Sequence, residues 1–349
     1  MKNFYKNKNI LITGHSGFKG SWLSLILKLL GNNVYGLSDN KINSGFYKII
    51  KNKDVFIKEY QGDIRDPKYI NKIIGLGNFE IVFHLAAQGL VSEAAKNPEN
   101  TLTSNILGTF NILNSCNNNK RVKTLIVSTT DKVYAEHNSK NSELFKLGGK
   151  EFYSASKAST EHIITAFINT HKRETLNIGV VRAGNVLGGG DYGKDRLLTD
   201  VINSLKRGEN IKLRNPQSLR PWQYILDSLM GYLLVAQYCQ QQKKDEIFNL
   251  NRKLNNQYDV GYLVDTLVKE WSPTRKIKII HENSSKFYES DVLRIDSTKA
   301  RKLLNWVPSY NLIQICKNTV LYEKSNNKYD FAVNHISEYL DKYIKKILS

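Results

Sequence analysis

The chain has 349 residues, of which 41% are hydrophobic, so its length and composition exclude a disordered polypeptide and allow one large domain or two of ordinary size. Its formal net charge of +19 would suit a polyanionic partner, but lysine and asparagine are spread through the whole chain, and no RNA-binding or zinc-finger signature accompanies them. We therefore expect no nucleic-acid partner.

Short apolar segments alternate with helical patterns through the first half of the chain. They are rich in valine and isoleucine and continuously apolar, as strands buried on both faces of a parallel sheet are. Gly31 stands where a helix C-terminal glycine is expected. This order predicts an α/β fold with a Rossmann-like, doubly wound parallel sheet. The predicted strands span residues 9–13, 33–38, 55–60, 80–86, 124–129 and 178–184.

The pattern loosens beyond about residue 186, where glycine, asparagine and proline cluster in loops that suit a smaller substrate-binding part. We expect residues 1–185 to form a nucleotide-binding Rossmann domain, to which the chain returns near 222–251. Residues 186–349 are expected to form mainly a C-terminal substrate-binding domain that ends in a helix packed on the main body.

The chain carries no sign of a membrane or secreted protein. No apolar run reaches the ~20 residues that a membrane helix needs, and the basic start lacks the apolar region and cleavage site of a signal peptide. Cys116, Cys239 and Cys316 are far apart and form no C-x-x-C pair, which fits a reducing compartment and argues against disulfides or structural zinc. We expect a cytoplasmic protein with neither a membrane partner nor a metal.

A G-x-x-G-x-x-G pattern follows the first predicted strand and opens a helix; its glycines are Gly14, Gly17 and Gly20. Glycines there let the backbone turn tightly and approach a pyrophosphate, to which the helix N-terminus offers free N–H groups. After the second strand, Asp39 favours the ribose of NAD, while Lys41 keeps NADP possible. Asp63 follows the third strand, where it is either an adenine contact or a helix N-cap or turn residue.

Two oppositely charged side chains, Asp131 and Lys132, follow Thr130 at the end of the fifth predicted strand. Charges at strand ends usually belong to a solvated turn, and they suggest an acid and a base only if the fold builds a pocket around them. Tyr153 and Lys157 are spaced i and i+4, on one face of a helix. A lysine ammonium beside a phenol stabilises the phenolate and lowers the tyrosine pKa, so Tyr153 is the candidate base.

Together with Asn105 in "NILGT", the glycine-rich turn and the Y-x-x-x-K spacing resemble the extended short-chain dehydrogenases/reductases over nearly the whole chain. The Asp-Lys pair and the stretches "TGHSGFKGSWLSL" and "IKLRNPQSLRPWQYIL" are similar to the nucleotide-sugar 4,6-dehydratases, and most to the subgroup that acts on CDP-glucose. The resemblance implies a sugar-nucleotide-binding C-terminal domain, NAD as cofactor with NADP possible, a sugar-nucleotide substrate and a homodimer or higher homo-oligomer.

The resemblance also implies roles for the motif residues. Thr130 would bind the sugar 4-hydroxyl, Tyr153 would take its proton, and Lys157 would hold the nicotinamide ribose. Asp131 would protonate the leaving 6-hydroxyl, and Lys132 would assist C5 deprotonation or stabilise the enolate. The implied cofactor contacts are Gly14, Gly17, Phe18, Gly20, Asp39, Asp63, Ile64, Ala86, Ala87, Asn105, Tyr153 and Lys157. The implied substrate contacts are Gln88, Asn185, Arg196, Arg220 and Arg294. His84 ends a buried strand and is interpreted as a structural histidine near the cofactor.

Two segments depart from the subgroup. Gly89 and Ser92 replace the proline and arginine of a Gln-Pro-Leu-Val-Arg stretch, and the segment between Lys132 and Tyr153 lacks its tryptophan. Both segments should line the sugar, so the base and the sugar stay open. Three alternatives are therefore kept: a 4,6-dehydratase of a GDP-, UDP- or dTDP-hexose, a nucleotide-sugar 4-epimerase or reductase, and a binding protein that kept the fold.

Overall fold

The computed structural model describes residues 1, 3–39, 45–136, 141–193, 195–252, 258–281 and 293–348. Its strands are β1 (Asn9–Thr13), β2 (Asn33–Ser38), β3 (Phe56–Gln61), β4 (Ile81–His84), β5 (Thr124–Thr130), β6 (Asn177–Ala183), β7 (Val186–Leu187), β8 (Ile211–Leu213), β9 (Gln223–Tyr224), β10 (Glu246–Leu250) and β11 (Ile279–His281). Seven of them form a parallel central sheet in the order β10-β6-β5-β4-β1-β2-β3. This order confirms the predicted doubly wound sheet.

Helices cover both faces of the sheet. They are α1 (Phe18–Leu29), α2 (Gly45–Ile50), α3 (Pro67–Leu76), α4 (Val91–Lys96), α5 (Pro98–Leu102), α6 (Gly108–Asn118), α7 (Phe152–Thr170), α8 (Leu197–Arg207), α9 (Ile225–Gln242), α10 (Val260–Trp271), α11 (Thr298–Leu304), α12 (Leu312–Lys324) and α13 (Lys328–Leu348). A π-helical segment, Thr103–Leu107, precedes α6, and a 3₁₀ turn, Asp131–Val133, follows β5.

Alternate side chains of each strand enter two different hydrophobic cores. Leu11 of β1 lies in the core shared with α3, α6 and α7. Its neighbours Ile10 and Ile12 lie in the core shared with α1, α9 and the C-terminal helices. Because both faces of the central strands are covered, their residues read as continuous apolar runs.

The predicted bounds of β1 and β2 agree with the structure, and those of β4, β5 and β6 agree to within two residues. Gly31 follows α1 with a positive φ of 83°, as expected for a C-terminal glycine. β3 is an edge strand with mostly exposed side chains, which explains why its sequence is less continuously apolar than that of the central strands. β10 was not among the predicted strands; it is a short edge strand that pairs with β6 and brings the chain back into the sheet.

The sheet order reverses between β1 and β4, so the loops that follow these strands meet at the switch point where nucleotides bind in such sheets. Beyond this edge lie two small parallel pairs, β7 with β9 and β8 with β11. α13 packs on the body through buried Ile336, Leu340 and Tyr343, as predicted. Cys116, Cys239 and Cys316 are buried and free. Within the described ranges, no helix has both the length and the apolar character to cross a bilayer.

Candidate active site

The glycine-rich loop is built so that only glycine fits its ends. Gly14 has a φ of 74°, and a Cβ there would lie 2.7 Å from the backbone nitrogen of Ala86. A Cβ on Gly20 would lie 2.2 Å from the carbonyl oxygen of Gly14. Gly17 is the N-cap of α1 and makes no side-chain cap, which leaves the first N–H groups of the helix for an anion. Phe18 is 7% exposed and its side chain packs in the core. Only its backbone N–H is therefore placed to bind an anion at the loop.

The acidic residues after β2 and β3 differ in their surroundings. Asp39 is exposed, whereas Lys41 lies outside the described residues. The carboxylate of Asp63 accepts from the backbone N–H of Arg65 at 2.9 Å and from its guanidinium Nε at 3.0 Å. Asp63 therefore holds the turn after β3, while Asp66 is the N-cap of α3. The contact of Asp63 with an adenine stays a prediction. Ile64 is buried against Gly108.

An open polar cavity of about 400 Å³ lies beside this turn. Its lining residues are Arg65, Asn97, Glu99, Asn100, Thr103 and Leu107.

Buried polar side chains hold the segment that follows β4. His84 bridges the hydroxyls of Thr13 at 2.7 Å and Thr109 at 3.0 Å, and burial lowers its pKa to about 3, so it is a neutral structural histidine. Asn105 donates to the carbonyl of Gln88 at 3.0 Å and accepts from its N–H at 2.8 Å. These contacts fix Ala86 and Ala87 at the switch point.

Gln88 also uses its own side chain inside the protein. Its amide donates to the hydroxyl of Thr101 at 2.8 Å and accepts from the N–H of Leu90 at 2.5 Å. Asn105 donates in addition to Ser156 at 2.8 Å. The side-chain amides of Gln88 and Asn105 therefore hold the loop after β4. Contacts from these two residues to a ligand stay a prediction.

The charges at the end of β5 do not form a solvated turn. Asp131 is 1% exposed, and its Oδ1 accepts from the Thr130 hydroxyl at 3.0 Å. Its Oδ2 has no hydrogen-bond partner among the described residues. Lys132 Nζ lies 3.9 Å from Asp131 Oδ1, and its side chain is 25% exposed. Thr130, Asp131 and Lys132 therefore present a buried carboxylate and a partly open ammonium.

Tyr153 and Lys157 lie on the first turns of α7, as predicted. Glu151 caps this helix by accepting from the backbone N–H groups of Tyr153 and Ser154, both at 2.7 Å. Lys157 is 5% exposed and donates from Nζ to the backbone carbonyl of Ser128 at 3.0 Å.

Sequence reasoning missed the residues behind this pair. The hydroxyl of Ser128 lies 2.6 Å from Oη of Tyr232 on α9, and the Tyr232 ring lies 5.7 Å from Nζ of Lys19. Tyr232 is about 100 residues away in the chain, and no local signal marks it.

The electrostatics correct one expectation. The pKa of Tyr153 is raised, chiefly by burial and further by Asp131 and Glu151, although an interaction with the Thr130 hydroxyl lowers it. Burial, followed by the charge of Lys19, lowers the pKa of Lys157 to about 8. The tyrosine pKa therefore does not fall below its usual value, because desolvation of the phenol dominates.

Three of the five predicted substrate residues, Asn185, Arg220 and Arg294, lie on neighbouring segments. A Cβ on Gly184 would lie 2.7 Å from Pro221 and 3.3 Å from Asp131 Oδ2, so the segments that carry Asn185 and Arg220 pass the buried carboxylate. Arg294 joins them because the N–H of Leu293 donates to the carbonyl of Leu219 at 3.3 Å.

Two of these side chains carry a buried polar atom that no described residue satisfies: Oδ1 of Asn185 and Nε of Arg294. Arg196 is not among them, since it is the N-cap of α8 and pairs with Asp191 at 2.7 Å.

Comparison with known proteins agrees with this geometry. A model of the GDP-mannose 4,6 dehydratase family matches residues 11–319. The CDP-glucose 4,6-dehydratase of Salmonella typhimurium is 34% identical over 335 residues, which cover 93% of this chain and 92% of that protein.

Solved structures share the fold. A UDP-glucose 4-epimerase from Thermotoga maritima, solved with UDP-glucose, has a TM-score of 0.77 at 25% identity and covers 90% of this chain and 98% of its own. A dTDP-glucose 4,6-dehydratase from Bacillus anthracis, solved with NAD, has a TM-score of 0.77 at 21% identity and covers 93% and 99%. The family match spans most of the chain and confirms the resemblance. The chain therefore belongs to the GDP-mannose 4,6 dehydratase family of extended short-chain dehydrogenases/reductases.

Proposed function

We propose that the protein is an NAD-dependent nucleotide-sugar 4,6-dehydratase that converts CDP-glucose to CDP-4-keto-6-deoxyglucose. The carboxylate of Asp131 carries this proposal: it is buried, Thr130 holds one oxygen, and the other has no partner in the described part of the chain. A buried acceptor without a partner is costly, and a sugar hydroxyl would satisfy it. An epimerase needs no acid at this point.

Tyr153 and its neighbours act at C4 of the sugar. Tyr153 takes the proton of the 4-hydroxyl, and Thr130, whose hydroxyl lowers the pKa of that phenol, holds the same sugar oxygen. Lys157, whose Nζ is fixed by the Ser128 carbonyl, would hold the nicotinamide ribose. When bound, NAD supplies the acceptor for the hydride that leaves C4 and the donor for the hydride that reaches C6.

Asp131 and Lys132 act at C6 and C5. Oxidation at C4 acidifies the C5 proton. Lys132 either removes this proton or stabilises the enolate that its removal leaves on the sugar. Asp131 must carry a proton at this step; it gives that proton to the 6-hydroxyl, which leaves as water, and so becomes the carboxylate. A proton then returns to C5 as C6 is reduced, so the product differs from the substrate by one water. The 3.9 Å separation of the two side chains allows them to serve adjacent carbons.

The first half of the chain fits NAD. The glycine loop leaves α1 uncapped for a pyrophosphate, and Asp39 is exposed where a ribose hydroxyl is expected. The B. anthracis structure of this fold holds NAD. We therefore assign the cofactor contacts to Gly14, Gly17, Gly20, the backbone of Phe18, Asp39, Asp63, Ile64, Ala86, Ala87, Asn105, Tyr153 and Lys157.

CDP-glucose is the preferred substrate because the Salmonella relative carries that name at 34% identity over most of both chains. Asn185, Arg220 and Arg294 hold the nucleotide diphosphate in this proposal, with Arg196 and Gln88 at the rim. Residues 186–349, apart from the segment that re-enters the sheet, form the substrate-binding domain. A GDP-, UDP- or dTDP-hexose, or epimerisation at C4, is the alternative outcome.

The test is mass spectrometry of the product formed from CDP-glucose and NAD in deuterated water. A dehydratase yields a product that has lost one water and carries one deuterium at C5. If a panel of CDP-, GDP-, UDP- and dTDP-hexoses gives only products of unchanged mass, the protein is an epimerase and not a dehydratase. Loss of water from a different member of the panel would correct the base and keep the reaction.

We also propose a cytoplasmic homodimer joined through α6 and α7. These helices and the π-helical segment before them expose Leu107, Phe110, Phe152 and Ile163, each between 36% and 48% exposed. A reducing compartment would keep the three buried cysteines free. Light scattering that finds only the 40.0 kDa monomer at micromolar concentration would contradict the dimer.

A further inference from the structure

Arg182 on β6 is a fully buried arginine directly behind the proposed catalytic group. It is 2% exposed, and its guanidinium makes a two-pronged ion pair with Glu161, with Nε 2.9 Å and Nη2 2.5 Å from Oε2. Its remaining nitrogen, Nη1, donates to Oη of Tyr134 at 2.8 Å and to the carbonyl of Glu143 at 3.1 Å. One side chain therefore contacts two separate parts of the site.

The first part is the helix and strand that carry the C4 chemistry. Glu161 lies one turn after Lys157 on α7 and is 1% exposed. Its Oε1 also accepts from the hydroxyl of Thr129 at 2.7 Å, and Thr129 precedes Thr130. Glu161 therefore couples α7 to the end of β5.

The second part is the segment that runs from Asp131 to Tyr153. Tyr134 follows the 3₁₀ turn; its ring stacks 4.9 Å from the guanidinium carbon of Arg182, and its hydroxyl donates to Asn249 at 2.7 Å. Asn249, on β10, donates from its backbone to the Glu143 carboxylate at 2.8 Å and from its side chain to the Asn141 carbonyl at 2.9 Å. The described parts of this segment, residues 131–136 and 141–153, are thus held from β6 and β10.

Stability alone gives no reason for such a pair. Two buried charges lose their hydration, and replacing a buried ion pair by apolar side chains of similar volume is often neutral or stabilising. A planar guanidinium with five fixed donors, by contrast, can hold several groups at set distances, which a lysine cannot. The contacts of Arg182 lie on both sides of the group that must act on C4, C5 and C6 together.

We propose that Arg182 is a positioning residue that sets the distance between the Asp131-Lys132 pair and the Tyr153-Lys157 pair. This inference rests on the proposed function. Without the fork of Arg182, the segment after Asp131 loses two anchors at its start and middle, while Glu161 keeps α7 and β5 together only through Thr129. Elimination should then suffer more than oxidation at C4.

Glu161 gives this arrangement a signature in the pH profile. The titratable groups that interact with Lys157 are Glu161 on α7, Lys19 on α1 and His84 on β4. The charge of Glu161 raises the pKa of Lys157, against burial and Lys19, which lower it. Glu161→Gln removes that support, so the limb of the profile that reports Lys157 should move to lower pH.

The experiment compares Arg182→Lys, the double variant R182M/E161L and Glu161→Gln with the wild type. Arg182→Lys keeps the charge but loses the fork, and we expect kcat to fall about 10–100-fold with KM changed less than about threefold, the range for a misplaced catalytic group. Reduced cofactor, followed by its absorbance, should accumulate. Arg173→Lys is the matched control, because Arg173 donates to carbonyls at the end of α6, such as that of Asn117 at 2.7 Å, and to that of Val122 just before the start of β5, away from the carboxyl ends of the strands.

A second readout needs no substrate. In the wild type, the N–H of Ala135 donates to the Lys146 carbonyl at 3.0 Å and that of Gly148 to the Val133 carbonyl at 2.8 Å. Hydrogen exchange at these two amides should accelerate at least about tenfold in Arg182→Lys. Exchange requires local opening of the segment, and the loss of its contacts with Arg182 makes that opening more frequent. Exchange in β1 should not change.

The outcomes separate this proposal from the proposed function. If Arg182→Lys and R182M/E161L keep kcat within twofold and leave both amides protected, Arg182 is not a positioning residue. If kcat falls only in proportion to lost thermal stability, as in Arg173→Lys, its role is structural and the proposal is also wrong. If the wild type converts a sugar nucleotide without losing water, the proposed function fails, and the exchange result still decides the role of Arg182.

Discussion

The loop after β1, which would hold the cofactor, and the segment after β5, which would hold the sugar, are built by different means. After β1 the binding site consists of backbone: Gly14 and Gly20 make close backbone contacts, and the N-terminus of α1 has no side-chain cap. After β5 the site consists of side chains, and Asp131 and Tyr153 come from segments about 20 residues apart that distant residues hold in place. A backbone site tolerates side-chain changes around it, whereas a side-chain site depends on each of its members.

The largest effect should come from Tyr153→Phe. The phenylalanine has no oxygen to take the 4-hydroxyl proton, so turnover should fall by about 10²–10⁴-fold, the contribution of one general base. Binding of the sugar nucleotide, followed by calorimetry, should change little. Tyr238→Phe is the control, since that phenol lies on α9 with its ring against Phe248. Turnover of Tyr153→Phe within threefold of the wild type would refute the assignment.

Asp131→Asn should divide the reaction into its halves. The amide can still accept from the Thr130 hydroxyl, which donates to Oδ1 at 3.0 Å, but it cannot protonate the leaving 6-hydroxyl. Elimination should slow by about 10²-fold, the low end for a lost general acid, while C4 oxidation continues. Single-turnover absorbance should then show reduced cofactor that persists. Equal slowing of both steps would mean that Asp131 only supports the fold of the site.

The same contrast explains what the sequence could predict. The strand bounds of β1 and β2, the glycine turn and the Tyr153-Lys157 spacing are local patterns, and local geometry determines them. Tyr134, Arg182, Tyr232 and Asn249 are not recognisable in this way, because their meaning depends on contacts between residues far apart in the chain. The raised pKa of Tyr153 was predicted with the wrong sign, because the spacing revealed the lysine charge but not the burial of the phenol.

Gly20→Ala tests the backbone site. A Cβ at this position would lie 2.2 Å from the Gly14 carbonyl oxygen and 2.7 Å from Cα of His15, both rigid backbone atoms. The loop must move, at a cost of about 1–3 kcal/mol, and calorimetry should show NAD affinity reduced by at least about tenfold. Gly75→Ala is the control, because its Cβ would meet no atom within 4 Å. Unchanged NAD affinity in Gly20→Ala would show that the close backbone contacts after β1 do not shape the cofactor site.

The smallest effect concerns Asp227, which joins α9 of the main body to the C-terminal helices. Its carboxylate accepts from the N–H of Ser309 at 2.8 Å, the N–H of Tyr310 at 3.3 Å and the hydroxyl of Tyr339 at 2.9 Å. Burial nevertheless dominates and raises its pKa to about 6, from the 3.8 of an exposed aspartate. The folded protein therefore binds this proton more tightly than the unfolded chain does.

The sign of the pH dependence follows from that shift. The stabilisation is fully present below about pH 4 and is lost as the pH rises through 6, which amounts to about 1 kcal/mol between pH 5 and pH 8. Asp227→Asn cannot titrate, and its amide should lose the bond to Tyr310, so it should be less stable than the wild type at pH 5 and show a smaller loss of stability between pH 5 and pH 8. Urea unfolding at pH 5, 6.5 and 8 measures both free energies. If the two curves run parallel, Asp227 is already ionised throughout this range, and its three hydrogen bonds outweigh its burial.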